Sequence, residues 1–212
     1  MTQLIQDKLA SIEQQHSVKI IYACEAGSRA WGWDRVDGSS DYDLRFIYVQ
    51  DLPFYFTVAQ SKNHSIVYSN NQEIDAQGME LGHALRLLAN SNPNLLEQVY
   101  SPIVYCDNAL EPLQILASAY FKPIAAYHHY TSMAKSNWLD WQKASLDEAT
   151  DSGLRKSVKK LMVVVRAHLL LRAVAERGFE YVDYIGKNGI YNLAKMFMSE
   201  MEQTAFHYCI LA

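Results

Sequence analysis

The strongest constraint on this chain is a break in an apolar run. VKIIYACEAGS carries Ile20, Ile21, Tyr22 and Ala23 and then stops at Gly27-Ser28. A short apolar run bounded by glycine reads as a buried strand ending in a turn. Glycine at that turn lets an anion approach the backbone closely, and Gly27-Ser28 opens a helix turn over residues 28–31. The backbone N–H groups and the Ser28 hydroxyl would therefore face a phosphate. Twelve residues further on comes DYDLRFIYV, whose β-branched and aromatic alternation predicts a second strand over 42–49.

That second strand brings the first chemistry. Residues i and i+2 of a strand share a face, so Asp41 and Asp43 are expected to present two carboxylates side by side. Adjacent carboxylates repel unless a cation lies between them, and Mg²⁺ favours oxygen ligands and substrate phosphates. A third carboxylate, Asp75 in EIDAQ, lies on another expected strand, with Ile74 facing the core and Asp75 the opposite side. Three carboxylates on neighbouring strands can hold two metal ions for an in-line displacement at phosphorus. Taken singly, D-x-D is most often a solvated strand edge and Gly-Ser most often a plain turn. Strand, Gly-Ser, spacer, D-x-D and a later single Asp in this order have far fewer accidental sources.

Composition narrows the partners. The chain of 212 residues is half hydrophobic and 20% charged, a globular profile that suits one large or two small domains. Its net charge of -4 supplies no global positive field, so any polyanion must be bound locally. Cys24, Cys106 and Cys209 are widely spaced and odd in number, which argues against a disulfide framework or a zinc site and for a cytoplasmic home. The N-terminus has helical spacing, not a secretory apolar core, and the most apolar stretch, 161–175, is interrupted by Arg166 and Arg172. No membrane association is expected.

Along the chain, an amphipathic helix over 4–15 precedes the first strand, and 53–56 reads as part of an irregular connection to further strands at HSIVYS and QEIDAQ. Apolar Met79, Leu81, Leu85, Leu87 and Leu88 predict a helix that stops before Pro93. After about residue 110 the patterns are helical, including a run over 154–177 that ends at Gly178. The expected division is an α+β half, 1–109, and a helical half, 110–212.

The Gly-Ser, the dozen-residue spacer, DYD and the later Asp resemble the signature of the polymerase-β-type nucleotidyltransferase superfamily. The longer text EAGSRAWGWDRVDGSSDYDLRFIYV, followed by EIDAQGMELGHALRLLANSNPNLLEQVYSPIVY, is similar to a narrower bacterial group: polymerase-β-like nucleotidyltransferases linked to RNA repair and associated with RNA ligase. That match spans residues 20–106 and includes Arg29, Trp31, Arg45, Asn92, Pro93, Glu97 and Ser101-Pro102. The resemblance implies a mixed sheet with flanking helices followed by a helical C-terminal region. The segment 179–212 departs from the family pattern, so the helical half is read as truncated or divergent.

By the same resemblance, Gly27 and Ser28 would grip a nucleoside triphosphate, and Asp41, Asp43 and Asp75 would ligate two Mg²⁺ ions. Asp75 would also help activate the acceptor hydroxyl, with an RNA end as the implied acceptor. A nucleoside monophosphate would be joined to it with release of pyrophosphate, by positioning and charge neutralisation. Arg45 shares the carboxylate face and either neutralises the site, reaches a phosphate or pairs with Asp43 or Asp41. Arg29 is a phosphate ligand or a solvated loop residue. Trp31 and Trp33 either stack on a base or pack against the sheet. Related enzymes complete the triphosphate site with a basic residue from the helical domain; Lys159 and Arg166, seven apart on one helix face, are the candidates, with Lys135 competing and a solvated basic face as the plain alternative. Glu25 is left outside the metal shell as a strand-end surface acid, and the adjacent His128 and His129 point in different directions on a helix and make no metal site. The rival functions are a catalytically silent, antitoxin-like binding module, nucleotide transfer to a protein or small molecule, and a metal-dependent phosphohydrolase.

Overall fold

Ile5, Leu9 and Ile12 recur at intervals of four and three residues, and in the computed structural model they form the buried face of helix α1 (Thr2–His16). Burial of each contributes about 1.5–3 kcal/mol. The helix ends where Ser17 turns left-handed at φ 53°. Glu13 then reaches forward, its Oε1 accepting the Ile20 N–H at 2.7 Å, which ties the helix end to the first strand. The structure describes residues 2–33, 40–56, 65–68, 74–144, 151–186, 189, 190 and 192.

The strands are β1 (Lys19–Glu25), β2 (Tyr42–Val49), β3 (Ser65–Tyr68), β4 (Ile74–Glu80) and β5 (Val104–Cys106). They form one mixed sheet in the order β3-β4-β2-β1-β5, with β2 and β4 parallel and the other neighbours antiparallel. Ile20, Ala23, Leu44, Phe46, Tyr48, Ile74 and Ala76 share the core closed by α1. Alternation then sends Asp43, Arg45 and Asp75 to the opposite face. The β1 part of that face is covered by a helix: the Tyr22 hydroxyl donates to the Gln98 carbonyl of α5 (Pro93–Val99). Helix α4 (Leu81–Ala89) packs against β2 and β4, and α6 (Leu110–Ala119) against α4 and α5.

Three local expectations change and one is extended. Residues within 53–56 are not irregular but belong to the short helix α3 (Leu52–Phe56). Met79 lies in β4, because the strand runs on to Glu80, which caps α4 by accepting from the Gly82 and His83 N–H groups at 2.8 and 3.1 Å. Pro93 opens a helix as well as following one: Asn92 caps α5, its Oδ1 accepting from the Leu95 N–H at 3.3 Å, and proline suits the first turn because it needs no donor. Finally, the described residues divide into two compact units after Phe121, which places α6 with the sheet and not with the helices that follow.

The second unit contains α7 (Pro123–Ala144), α8 (Asp151–Arg177) and a 3-10 segment, Gly178–Tyr184. Helices α7 and α8 pack along each other, and the 3-10 segment folds back on α8 after Gly178 takes φ +61°. Buried Tyr130 and Tyr181 meet edge to face at 5.9 Å. Among the described residues, no helix is long and apolar enough to cross a membrane.

Candidate active site

Register places the two central acids. Parallel pairing of β2 with β4 sets Asp43 opposite Asp75, near the starts of both strands and on one face. Their carboxylates are about a third exposed, 32% and 37%. Arg45, two residues beyond Asp43 on the same face, spans them: its Nη2 lies 3.5 Å from Asp43 Oδ1 and 3.5 Å from Asp75 Oδ2. Of the readings open for Arg45, the ion pair is what this structure contains, and it reaches across strands to Asp75 as well.

Gly27 is required twice over. Its backbone is left-handed at φ +61°, and a Cβ there would fall 1.9 Å from Asp43 Oδ2. The start of α2 (Gly27–Trp31) is thus pressed against the Asp43 carboxylate, a distance only glycine permits. Backbone bonds fix the contact: the Ala26 N–H donates to the Asp43 carbonyl at 2.8 Å, and the bend closes with the Trp33 N–H donating to Ser28 O at 2.7 Å. Ser28 is half-buried within this bend.

Glu25, expected at the surface, is fully buried directly beneath Asp43. Its Oε1 accepts the Asp43 N–H at 2.8 Å and its Oε2 accepts the Tyr105 hydroxyl at 2.6 Å. Its own carbonyl accepts the Ser101 hydroxyl at 2.6 Å. Burial raises the Glu25 carboxyl above the ordinary glutamate value, while the bonds from Tyr105 and the Asp43 amide pull the other way and the Asp43 charge adds to the rise. Glu25 is a positioning residue: it locks the backbone from which Asp43 projects. Sequence reasoning missed it because Tyr105, on the adjacent strand β5, and Ser101 just before it are 80 and 76 residues away in the chain. The available signal was Ser101 within the family-like text.

The other candidates divide. Arg29 holds the approach to β2: its Nε donates to Ser40 O at 3.1 Å and to Asp41 O at 3.3 Å, and its guanidinium stacks 3.8 Å above the Tyr42 ring. These contacts give Arg29 a structural role at the approach to β2. Trp31 and Trp33 meet edge to face at 5.5 Å and are both partly exposed. Asp41 is exposed and precedes the strand, which begins at Tyr42, so the same-face rule that paired it with Asp43 does not govern it. Among the described residues, no three His, Cys, Asp or Glu side chains gather as a metal-holding group. The structure brings Asp43 and Asp75 together and leaves Asp41 outside the pair.

In the second unit, Lys159 is exposed on α8. Arg166 does not continue a solvated stripe with it: it is 1% exposed, and its guanidinium donates to the Ile185 carbonyl at 3.4 Å. One turn-aligned row of α8 is open at Lys159 and covered at Arg166, where the chain after Gly178 returns over the helix. Lys135 is exposed on α7.

The donor set suits a hard divalent cation. Two partly exposed carboxylates in register already draw a positive group between them, and Mg²⁺ typically takes one or two carboxylates and completes its shell with water and phosphate oxygens. Asp43 and Asp75 are the residues that would hold it.

Comparison with known proteins agrees with the sequence resemblance. No solved structure matches the chain. Uncharacterized protein YcgL of Bacillus subtilis (strain 168) is 39% identical over 180 residues, covering 84% of this chain and 65% of the relative, so the matched stretch spans just under two thirds of that protein's length. The family model described as RNA repair pathway DNA polymerase beta family matches residues 1–180, through the sheet, the bend and most of the helical unit, and the chain therefore belongs to that family.

Proposed function

We propose that this protein is a Mg²⁺-dependent nucleotidyltransferase that moves a nucleoside monophosphate from a nucleoside triphosphate to an acceptor hydroxyl, with an RNA end as the acceptor. The observation that carries the reading is the pairing of Asp43 with Asp75 across β2 and β4, with the Gly27 backbone pressed against Asp43. Family membership supplies the reaction class and the RNA context.

Asp43 and Asp75 would hold the cation, and exposed Asp41 lies two residues away at the strand's start to add a further carboxylate. The ion, when bound, supplies charge neutralisation at the phosphates and lowers the pKa of a coordinated hydroxyl. Gly27, having no side chain, keeps the bend close against Asp43, and the Ser28 hydroxyl would donate to a phosphate oxygen. Glu25 keeps Asp43 in place without touching substrate. In the reaction the acceptor oxygen bonds to the α-phosphorus, the bond from that phosphorus to the bridging oxygen breaks, and pyrophosphate leaves. The acceptor proton passes to an oxygen of Asp75 and then to solvent. Little covalent work falls to the protein, so orientation and electrostatics carry the rate.

The test is incubation of the protein with α-labelled nucleoside triphosphates and separate RNA, protein and small-molecule acceptor fractions. Label in RNA with release of pyrophosphate is the expected result. Label in protein or small molecules reassigns the acceptor, orthophosphate without labelled acceptor indicates a phosphohydrolase, and no binding of Mg²⁺ with nucleotide indicates a silent binding module.

A further inference from the structure

The contacts that Glu25 and Arg45 make around Asp43 differ in tightness. Those made by Glu25 are short, 2.6–2.8 Å. Those made by Arg45 are long: 3.5 Å to each carboxylate, with Arg45 itself 18% exposed. A committed arginine–carboxylate pair closes to about 2.7–2.9 Å and is often bidentate. Here a single nitrogen, Nη2, is shared by two carboxylates on two strands, while Nη1 donates to its own strand at Leu44 O, 3.1 Å away. Arg45 therefore neutralises the pair without gripping either member. A partly exposed, shared pair with contacts this long contributes little to stability, so it can be exchanged at small cost. Arg29 offers the contrast, with its guanidinium stacked on Tyr42 and bonded to two carbonyls.

From this geometry we infer that Arg45 is an exchangeable counter-ion, which occupies the Asp43–Asp75 pair in the cation-free protein, yields it to a divalent cation, and turns to the phosphates that arrive with that cation. The inference rests on the nucleotidyltransferase reading and adds to it a coupling carried by one side chain. Cation alone must compete with a resident positive charge. Cation together with triphosphate need not, because the displaced guanidinium gains an anionic partner of its own. Arg45 thus opposes binding of the bare ion and favours the ion–nucleotide complex, a coupling that acts reciprocally on both ligands.

The experiment measures Mn²⁺ affinity of the full chain, from the electron paramagnetic resonance signal of free Mn²⁺, with and without an α,β-methylene nucleoside triphosphate. Wild type is expected to bind Mn²⁺ weakly alone and more tightly with the analogue. Arg45→Gln is expected to bind Mn²⁺ alone on the order of ten-fold more tightly than wild type and to lose a similar factor of coupling to the analogue. Arg45→Lys, which keeps the charge but not the fork, should fall between the two. It also serves as the deciding variant if Arg45→Gln fails to fold, with circular dichroism as the check. Unchanged or weaker Mn²⁺ affinity in a folded variant overturns the inference and leaves the nucleotidyltransferase reading standing. A wild type that binds neither Mn²⁺ nor the Mn²⁺–analogue complex overturns both.

Discussion

Substituting alanine for Gly27 tests the bend and the acid pair together, and a second glycine provides the control. Gly27 and Gly178 both have φ +61°, but a Cβ at Gly178 meets nothing within 4 Å, whereas at Gly27 it would fall 1.9 Å from Asp43 Oδ2. The left-handed backbone alone costs an alanine about 1–2 kcal/mol, so Gly178→Ala should lose that much. Gly27→Ala carries the same backbone cost, and its methyl must also reach the ordinary contact distance of 3.4 Å, which moves the Asp43 carboxylate by about 1.5 Å. Asp43 is partly exposed and can turn away, so the added stability loss is modest, within about 1–3 kcal/mol. The functional loss is not: misplacement of a reacting group by about 1 Å costs on the order of 100-fold in rate. Urea unfolding of both variants, alongside Mg²⁺-dependent nucleotide binding and transfer, separates the two effects. Gly27→Ala with wild-type binding and transfer would refute the claim that the contact positions Asp43.

Three further outcomes follow from the same residues. Because burial raises the Glu25 carboxyl in the folded state above its ordinary 4.5, the folded protein holds that proton more firmly; the associated stability is full below the unfolded value and lost as pH rises through the folded one. Glu25→Gln should remove this slope, so its thermal stability should gain on wild type as pH rises above the ordinary glutamate value, and parallel curves would contradict the assignment. Burial pushes the Cys24 thiol up to about 12, so it stays protonated near neutrality: mass mapping after thiol alkylation should find Cys24 unmodified until unfolding, while half-exposed Cys106 reacts. Gly78→Ala would place a methyl 2.0 Å from the Phe46 ring in the core and should destabilise by about 1–3 kcal/mol in urea without a selective effect on nucleotide binding.

Local pattern was enough for much of the sheet. Strand β2 covers the residues its alternation predicts, and in β4 Ile74 is buried while Asp75 faces the other way, as period two requires. The left-handed Gly27 also follows from residue type and place. What alternation cannot supply is register. Whether Asp43 lies opposite Asp75 depends on a parallel pairing across 32 residues, and one residue of slip would have sent Asp75 to the α1 face. The helix before Pro93 stops at Ala89 as expected, but the sequence reading does not extend to the helix that Pro93 opens, which the Asn92 cap marks. The strand-end acid Glu25 looks exposed in sequence, since its partners Tyr105 and Ser101 come from the other end of the unit. Arg166 shows the limit of helical periodicity: residues seven apart share a direction, but neighbouring chain can cover one and leave the other open.

The central claim is that Asp43 and Asp75 form one cation-binding pair for transfer at the α-phosphorus. Wild type, Asp43→Asn and Asp75→Asn should be compared with α-labelled and γ-labelled nucleoside triphosphates in the presence of Mg²⁺ and RNA. The account predicts α-label retained on the acceptor, γ-label released in pyrophosphate, and both reactions lost in each variant while the fold persists. Undiminished transfer by either folded variant, or γ-label on the acceptor, would contradict it.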